Sequence, residues 1–456
     1  MNLISVNPLT SEEIQSYPEH TPPDINNILS QVITAQKGWS LLDLDFRLEC
    51  LIQISGILRD RKREYASIMA NEMGKPIAQG KGEIEKCAWL CDYYKKYAKN
   101  YLSDKLINTE YHKSLVTIQP IGLILGIMPW NFPFWQVFRF AIPVLLTGNG
   151  AILKHASNVQ GCAFAIESCF LEAGFPDHIF RNISVSGKNV KYVIKNQSIA
   201  AVTITGSTPA GSSVAQVAGK YLKKTVLELG GSDPYIILDD ADLDNAVNAC
   251  INGRILNTGQ SCISAKRLIV TKSVYHEFLD KLKNKLSEKI MGDPMDKVDI
   301  GPMVSKVARA EVHDQVVRSI NSGALLELGG QIPNMKGAFY PITLLSDVKP
   351  GMAAFDEEIF GPVFTLILAE DEAHAIKLSN QTPFGLGAAI FTEDIEKGEY
   401  IAKNKLNAGS CFVNDFVKSD PRLPFGGVKE SGYGRELSSH GLMEFVNIKT
   451  VVVNDV

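Results

Sequence analysis

Between residues 150 and 230 the chain alternates strand-like and helix-like pieces: "GAILKH", "CAFAIESCFLEAG", "AAVTITG", "PAGSSVAQVAGKYL" and "KTVLELGG". Short apolar runs suit buried strands, and the longer stretches between them carry apolar residues at helical spacing. Strands that follow one another with helices between them pair in parallel, because a parallel connection needs a crossover long enough to pass over the sheet. A second alternating region runs from "PYIILDDADLDNAVNAC" to about Asn414. Two such regions in 456 residues exceed one ordinary core and predict an α/β chain of two or three domains.

The first hundred residues read as helices, with apolar positions at helical spacing from "ILSQVITAQKGW" to "IMANEMGKP". "HKSLVTIQPIGLILGIMPW" then passes from alternation to a continuous apolar run, as in an exposed strand leading into a buried one. The end, "FVNIKTVVVNDV", is a lone strand without a sequential partner, which invites pairing across a subunit boundary. "DYYKKYAKNY" places Tyr93, Tyr94, Tyr97 and Tyr101 on one helical face, so it reads as a packed amphipathic helix rather than a nucleic-acid platform. "KLKNKLSEKI" puts Leu282, Leu286 and Ile290 on one stripe with lysines around it, a solvated helix face.

A net charge of -4 and 45% hydrophobic residues give no pull toward nucleic acid or an anionic membrane, so a small-molecule partner is expected. Eight scattered cysteines point to reduced thiols in a cytoplasm rather than a disulfide framework. Cys87 and Cys91 are half of a zinc site with no completing pair, and packing explains them better; no metal is expected. The start, "MNLISVNPLTSEEI", lacks the pattern of an export signal. The apolar run at 121–130 is about half of the ~20 residues a membrane span needs.

Four stretches carry candidate chemistry. "ILNTGQSCISAKR" sets Cys262 in a polar loop with no neighbouring histidine, which leaves open whether it is a buried structural thiol or a nucleophile activated from a distance. "TVLELGGSDP" ends a β-like run in Glu228, either an ion-pair partner or a carboxylate at the mouth of a sheet. "PWNFPFW" fixes the amide of Asn131 between two prolines. "TITGSTPAG" is strand, loop and helix, which suits a phosphate at a helix N-terminus, although its glycine spacing is neither G-x-G-x-x-G nor a Walker loop.

Together these stretches resemble the aldehyde dehydrogenase superfamily, enzymes that oxidise aldehydes to acids with NAD(P). The resemblance runs from "VNPLTSEEI" through "PIGLILGIMPWNFPF", "AILKHAS", "TGSTPAG", "LELGGSDP", "NTGQSCISAKR" and "EEIFGPV" to "PFGGVKESGYGRE". It implies an α/β aldehyde dehydrogenase fold: a Rossmann-like cofactor domain at 1–101 and 120–230, a catalytic α/β domain at 231–425, and a small β oligomerisation arm from 102–119 with 436–456. A homodimer or homotetramer is implied. Carried over by residue, it implies Cys262 as nucleophile, Glu228 as general base and Asn131 as oxyanion donor. It places Gly206, Ser207 and Gly211 at the cofactor pyrophosphate, Trp130 and Leu229 at the nicotinamide, Glu358 and Phe360 at its ribose, and Lys154 at the adenosine ribose.

His155 stands where the family usually has proline, and Ser157 where many NAD-preferring members have glutamate. A glutamate there would repel a 2'-phosphate and serine would not, so both NAD and NADP are expected as cofactors. Arg139, eight residues after Asn131, matches an arginine that binds the substrate carboxylate in succinate-semialdehyde dehydrogenases, though a structural ion pair is the other reading. The second arginine of those enzymes is Leu256 here; Ser419 and Arg422 are candidates to compensate. Succinate semialdehyde is the expected substrate. The rivals are another aliphatic, aromatic or amino aldehyde, a coenzyme A-dependent acylating enzyme, a thiol hydrolase and a non-enzymatic protein keeping the fold.

Overall fold

A computed structural model describes residues 2–455. Four helices, Pro22–Leu41, Leu44–Asp60, Lys62–Met73 and Ile77–Leu102, form the N-terminal layer. Local chemistry sets their ends. Thr21 and Asp24 make a reciprocal cap at the start of the first, and Gly74, at φ +78°, closes the third. The tyrosines of the long fourth helix pack: Tyr94 is buried, and the rings of Tyr93, Tyr97 and Tyr101 follow one another at 5.0 and 6.4 Å. Cys87 and Cys91 are buried on the same helix.

The first alternating region builds a six-stranded sheet in the spatial order Gly432–Tyr433, Lys224–Glu228, Ile199–Thr205, Leu123–Met128, Gly150–His155 and Phe180–Asn182. All neighbours are parallel except the short edge strand Gly432–Tyr433, which returns from the far end of the chain. The second builds a seven-stranded sheet: Leu325–Leu328, Thr343–Ser346, Val363–Ala369, Ala265–Thr271, Asp233–Ile237, Gly387–Phe391 and Ser410–Val413. Only Leu325–Leu328 runs antiparallel to its neighbour. Central strands of both sheets are buried on both faces, which is why they read as continuous apolar runs.

The final strand, Val446–Val453, pairs antiparallel with Lys113–Pro120, which also pairs with Lys105–Ile107, so the two segments expected to share an arm lie in one sheet. Among the described residues no strand lies beside its outer edge. Two expectations need correction. The first hundred residues are not all helical, because Asn2–Val6 and Glu13–Pro18 pair as antiparallel strands. Ile290 does not join the stripe of Leu282 and Leu286, because the helix ends at Ser287 and leaves Ile290 exposed. Among the described residues no helix is long and apolar enough to cross a membrane. Residue 456, the end of the expected arm, lies outside the described residues.

Candidate active site

Parallel strands in register deliver their carboxyl ends to one edge, where α/β sheets bind ligands. Leu123–Met128 leads into Trp130 and Asn131; Gly150–His155 carries Lys154 and leads to Ser157; Ile199–Thr205 leads into Gly206 and Ser207; and Lys224–Glu228 ends in Glu228, followed by Leu229. Gly206 N–H donates to the Glu228 carbonyl at 3.0 Å, which ties two of these ends together. The helix Thr208–Lys220 starts here with no side-chain cap from Ser207 and no acidic residue in its first turn. Its leading N–H groups are therefore free for an anion. Gly211 has a packing reason to be glycine: a Cβ there would collide with Leu229.

Lys154 is buried, and desolvation holds its amine below the ordinary lysine value. Trp130 and Phe360 meet edge to face, ring centres 5.8 Å apart, beside Glu358 in a cleft of about 550 Å³. Trp130, Glu358 and Phe360, expected cofactor residues distant in sequence, are thus neighbours in this cleft.

Cys262 arrives from the other sheet, just before the strand Ala265–Thr271. Its approach is a left-handed turn: Asn257, Thr258 and Gly259 have φ of +54°, +57° and +74°. That conformation is unusual for a β-branched threonine and persists only where surroundings impose it. Thr258 Oγ1 donates to the Gly301 carbonyl at 3.3 Å and accepts from Gly301 N–H at 3.1 Å. Asn257 Nδ2 donates to the Asn131 carbonyl at 2.9 Å, joining the cysteine loop to the asparagine loop. At Gly259 a Cβ would strike the Gly361 carbonyl.

Lys266, quoted in the cysteine motif but given no role from sequence, links the two sheets. Its Nζ donates to the Cys262 carbonyl at 2.6 Å and pairs with Glu358 Oε1 at 3.0 Å, and the same oxygen accepts from Gly231 N–H at 3.1 Å.

Cys262 opens on a cavity of about 270 Å³ whose walls include Phe132, Trp135, Leu256 and Phe425 with Lys86 and Arg139. Burial pushes the Cys262 thiol up to about 12, while Lys266 and Arg139 pull the other way. Glu228 is 2% exposed, and among the described residues neither carboxylate oxygen has a hydrogen-bond partner. Burial, then the neighbouring Glu436, raises it well above the usual carboxylate range, and Arg139 opposes the rise. Glu228 does not line the cavity. Asn131 Nδ2 donates to the Gln260 carbonyl at 3.2 Å, within the cysteine loop.

Arg139 is 2% exposed, its Nε paired with Glu436 and its guanidinium 4.7 Å from the Phe425 ring. Ser419 lines the cavity. Arg422 does not: it is exposed, forks onto Asp420 and lies over Trp89 at 5.4 Å. Of the two loop residues expected near the aldehyde, Ser419 is thus at the cavity wall and Arg422 is not, because Asp420 engages the Arg422 Nε and Nη2 locally.

The helix Ile77–Leu102 supplies residues that sequence reasoning passed over. Gln79, Gly82, Glu83 and Lys86 recur at helical spacing and all line the cavity. Glu83 Oε1 accepts from Phe134 and Trp135 N–H, both at 2.9 Å, and its other oxygen pairs with buried Lys75. The polar repeat Gln79, Glu83 and Lys86 at helical spacing was the available signal. His155 was noticed only as a departure. Burial lowers it to about 4, so it is neutral; Nδ1 lies 3.2 Å from the Met128 carbonyl and 3.0 Å from Ala156 N, and Nε2 lies 3.0 Å from the Pro133 carbonyl.

The aldehyde dehydrogenase family model matches residues 2–451, and the chain belongs to that family. It is 44% identical to a succinate semialdehyde dehydrogenase [NAD(P)+] of Escherichia coli, covering 98% of this chain and 97% of that one. It is 39% identical to a succinate-semialdehyde dehydrogenase [NADP(+)] of Mycobacterium leprae, covering 99% of each. Among solved structures, succinic semialdehyde dehydrogenase from Streptococcus pyogenes, in complex with NADP+ as the cofactor, superimposes with a TM-score of 0.97 at 36% identity, covering 99% of this chain and 100% of that one.

Proposed function

We propose that this protein oxidises succinate semialdehyde, or a short aldehyde with a carboxylate at its far end, to the acid with NADP or NAD. The observation that carries the reading is a single cavity in which Cys262 shares walls with the basic side chains of Lys86, Arg139 and Lys418. The activities for which those relatives are named support the same substrate.

The residues fit a nicotinamide dinucleotide. The uncapped start of Thr208–Lys220, preceded by Gly206 and Ser207, would take the pyrophosphate, and buried Lys154 with Ser157 would take the adenosine ribose. Trp130, Glu358, Phe360 and the Leu229 backbone would hold the nicotinamide half. When bound, this group accepts a hydride. The serine at 157 leaves room for a 2'-phosphate without like-charge repulsion.

Cys262 attacks the aldehyde carbon. Its thiol holds its proton at rest, so attack requires an acceptor, and the unpartnered carboxylate of Glu228 is the candidate. The alkoxide of the resulting thiohemiacetal would be met by the second N–H of the Asn131 amide and by Cys262 N–H, each donor typically worth about 3 kcal/mol. After hydride loss, and once Glu228 has passed the thiol proton to solvent, the carboxylate takes a proton from the water that hydrolyses the thioester and releases Cys262. Because Glu436 and burial raise Glu228, turnover climbs with pH as that carboxyl ionises. The unpaired outer edge of Val446–Val453 and its exposed sheet support a homodimer or homotetramer built through this arm, joined to a cofactor and a catalytic domain with the boundaries given above.

Absorbance at 340 nm tests the reading, with succinate semialdehyde and butanal compared under each cofactor. A kcat/KM ratio of about 100, or about 2.7 kcal/mol, in favour of the carboxylated aldehyde is expected. A ratio near one overturns the substrate, and refusal of NADP overturns dual cofactor use.

A further inference from the structure

Three parts of the site converge on Lys266: the cysteine loop, the glycines that follow Glu228, and the cofactor cleft. The lysine is the second residue of the strand Ala265–Thr271 and is 2% exposed. Its side chain turns back on the loop that carries the nucleophile, where Nζ donates to the Ser261 carbonyl at 2.9 Å and to the Cys262 carbonyl at 2.6 Å. The same nitrogen pairs with Glu358 Oε1 at 3.0 Å and lies 5.9 Å from the centre of the Phe360 ring, so it also reaches the wall of the cofactor cleft. Gly231 N–H donates to that Glu358 oxygen at 3.1 Å. Paired glycines permit the meeting: a Cβ at Gly230 would strike Glu358 Oε2, and one at Gly231 would strike the Cys262 carbonyl.

The two oxygens of Glu358 are therefore in different states. Oε1 is held by a cation and an N–H, whereas among the described residues Oε2 has no hydrogen-bond partner. A carboxylate fixed through one oxygen offers the other to ribose hydroxyls in a set orientation, with little rotamer freedom left to lose on binding. Lys266 is itself fixed, because swinging away would strand a buried charge. Burial raises the Cys262 thiol, and Lys266 is the first of the charges that oppose the rise.

We propose that Lys266 is a positioning residue for hydride transfer, a single ammonium that fixes the Glu358 carboxylate and the Cys262 carbonyl at a set separation. This deepens the assignment of Glu358 to the nicotinamide half and rests on it. The hydride leaves a carbon bonded to the Cys262 sulfur for the ring carried by that ribose, so an error in either anchor changes the distance it must cross.

A double-mutant cycle on the wild type, K266M, E358Q and K266M/E358Q tests the link. Titration calorimetry reads the affinity for NADP and for NAD, and a single turnover at saturating cofactor reads hydride transfer. K266M and E358Q should each weaken both cofactors about ten-fold, since the nicotinamide ribose is common to them, and the double variant should be no weaker than about ten-fold. K266M should also slow hydride transfer about 100-fold while changing the aldehyde KM less than about three-fold. Unchanged cofactor affinity or hydride transfer in K266M, or losses that multiply to about 100-fold in the double variant, would overturn the role of Lys266 and leave that of Glu358 standing. Unchanged affinity in E358Q overturns the assignment of Glu358, and the role of Lys266 with it. Thermal melting reports folding. Where K266M does not fold, K266Q, which keeps a donor for the carbonyls but no charge for Glu358, takes its place in the cycle.

Discussion

Two loops bring chemistry to the cavity, and they are held in opposite ways. The loop at 129–135, which carries Asn131, is pinned by polar groups beneath it: Glu83 caps Phe134 and Trp135, Lys75 neutralises Glu83, and His155 holds the Pro133 carbonyl. The loop at 255–262, which carries Cys262, is pinned by its own backbone, three left-handed residues pressed against Gly301 and Gly361. One anchor is electrostatic and comes from a helix more than thirty residues earlier; the other is steric and local. They meet through two side-chain amides: Asn257 donates to the Asn131 carbonyl, and Asn131 donates to the Gln260 carbonyl. The contrast teaches that an oxyanion donor and a nucleophile can be set at a fixed spacing by unrelated devices, provided a few bonds lock them together.

Replacing the residue each loop carries should separate their parts most sharply. Cys262→Ala is expected to cut aldehyde oxidation by about 10⁴-fold or more. Asn131→Ala should cut kcat by about 10²- to 10³-fold. Equal losses in single-turnover assays would deny that the two loops do different chemistry.

The anchors come next. Glu83→Ala strands Lys75 as a buried, unpaired cation, at a cost of about 3–5 kcal/mol in chemical denaturation. Gly259→Ala forces a side chain into the left-handed turn and onto the Gly361 carbonyl, at about 2–4 kcal/mol. High salt leaves both penalties in place, because both sites are buried. A neutral result for either variant would remove that anchor from the comparison.

The smallest effect concerns His155. It titrates at about 4 in the folded chain and at the ordinary 6.5 once unfolded. Between those values the unfolded chain binds a proton that the native one refuses, so stability falls as pH drops, by up to about 1.4 kcal/mol per unit. Unfolding measured at pH 7 and pH 5 should show the wild type losing about 2 kcal/mol more than His155→Gln. Parallel pH profiles would mean that His155 is not buried neutral beneath the Asn131 loop.

Much of the fold could be read from the chain, and the reason is periodicity. Strand and helix patterns are local, so "GAILKH" and "AAVTITG" announce a parallel sheet before any contact is known. The strand Gly432–Tyr433 was not legible, since two residues carry no pattern and its partner, Lys224–Glu228, lies some two hundred positions away. In the site, "NTGQSCISAKR" points to Cys262, yet the left-handed Asn257 and Thr258 look like ordinary polar loop residues. Glu83 and Lys86 were hidden differently. They belong to a helix whose apolar stripe drew attention, while buried Glu83 and half-buried Lys86 occupied a cavity wall.

By itself the sequence determined two sheets, the order of motifs along their edges and membership in a family, because hydrophobic period and motif order survive without coordinates. Only the tertiary structure decided which charges are available. Arg139 and Lys86 are equally basic on paper, but Glu436, nearly three hundred residues beyond Arg139, pairs with one, and among the described residues no carboxylate pairs with the other. Charge is a property of composition; whether it is free to bind a substrate depends on what packing places beside it once water is gone.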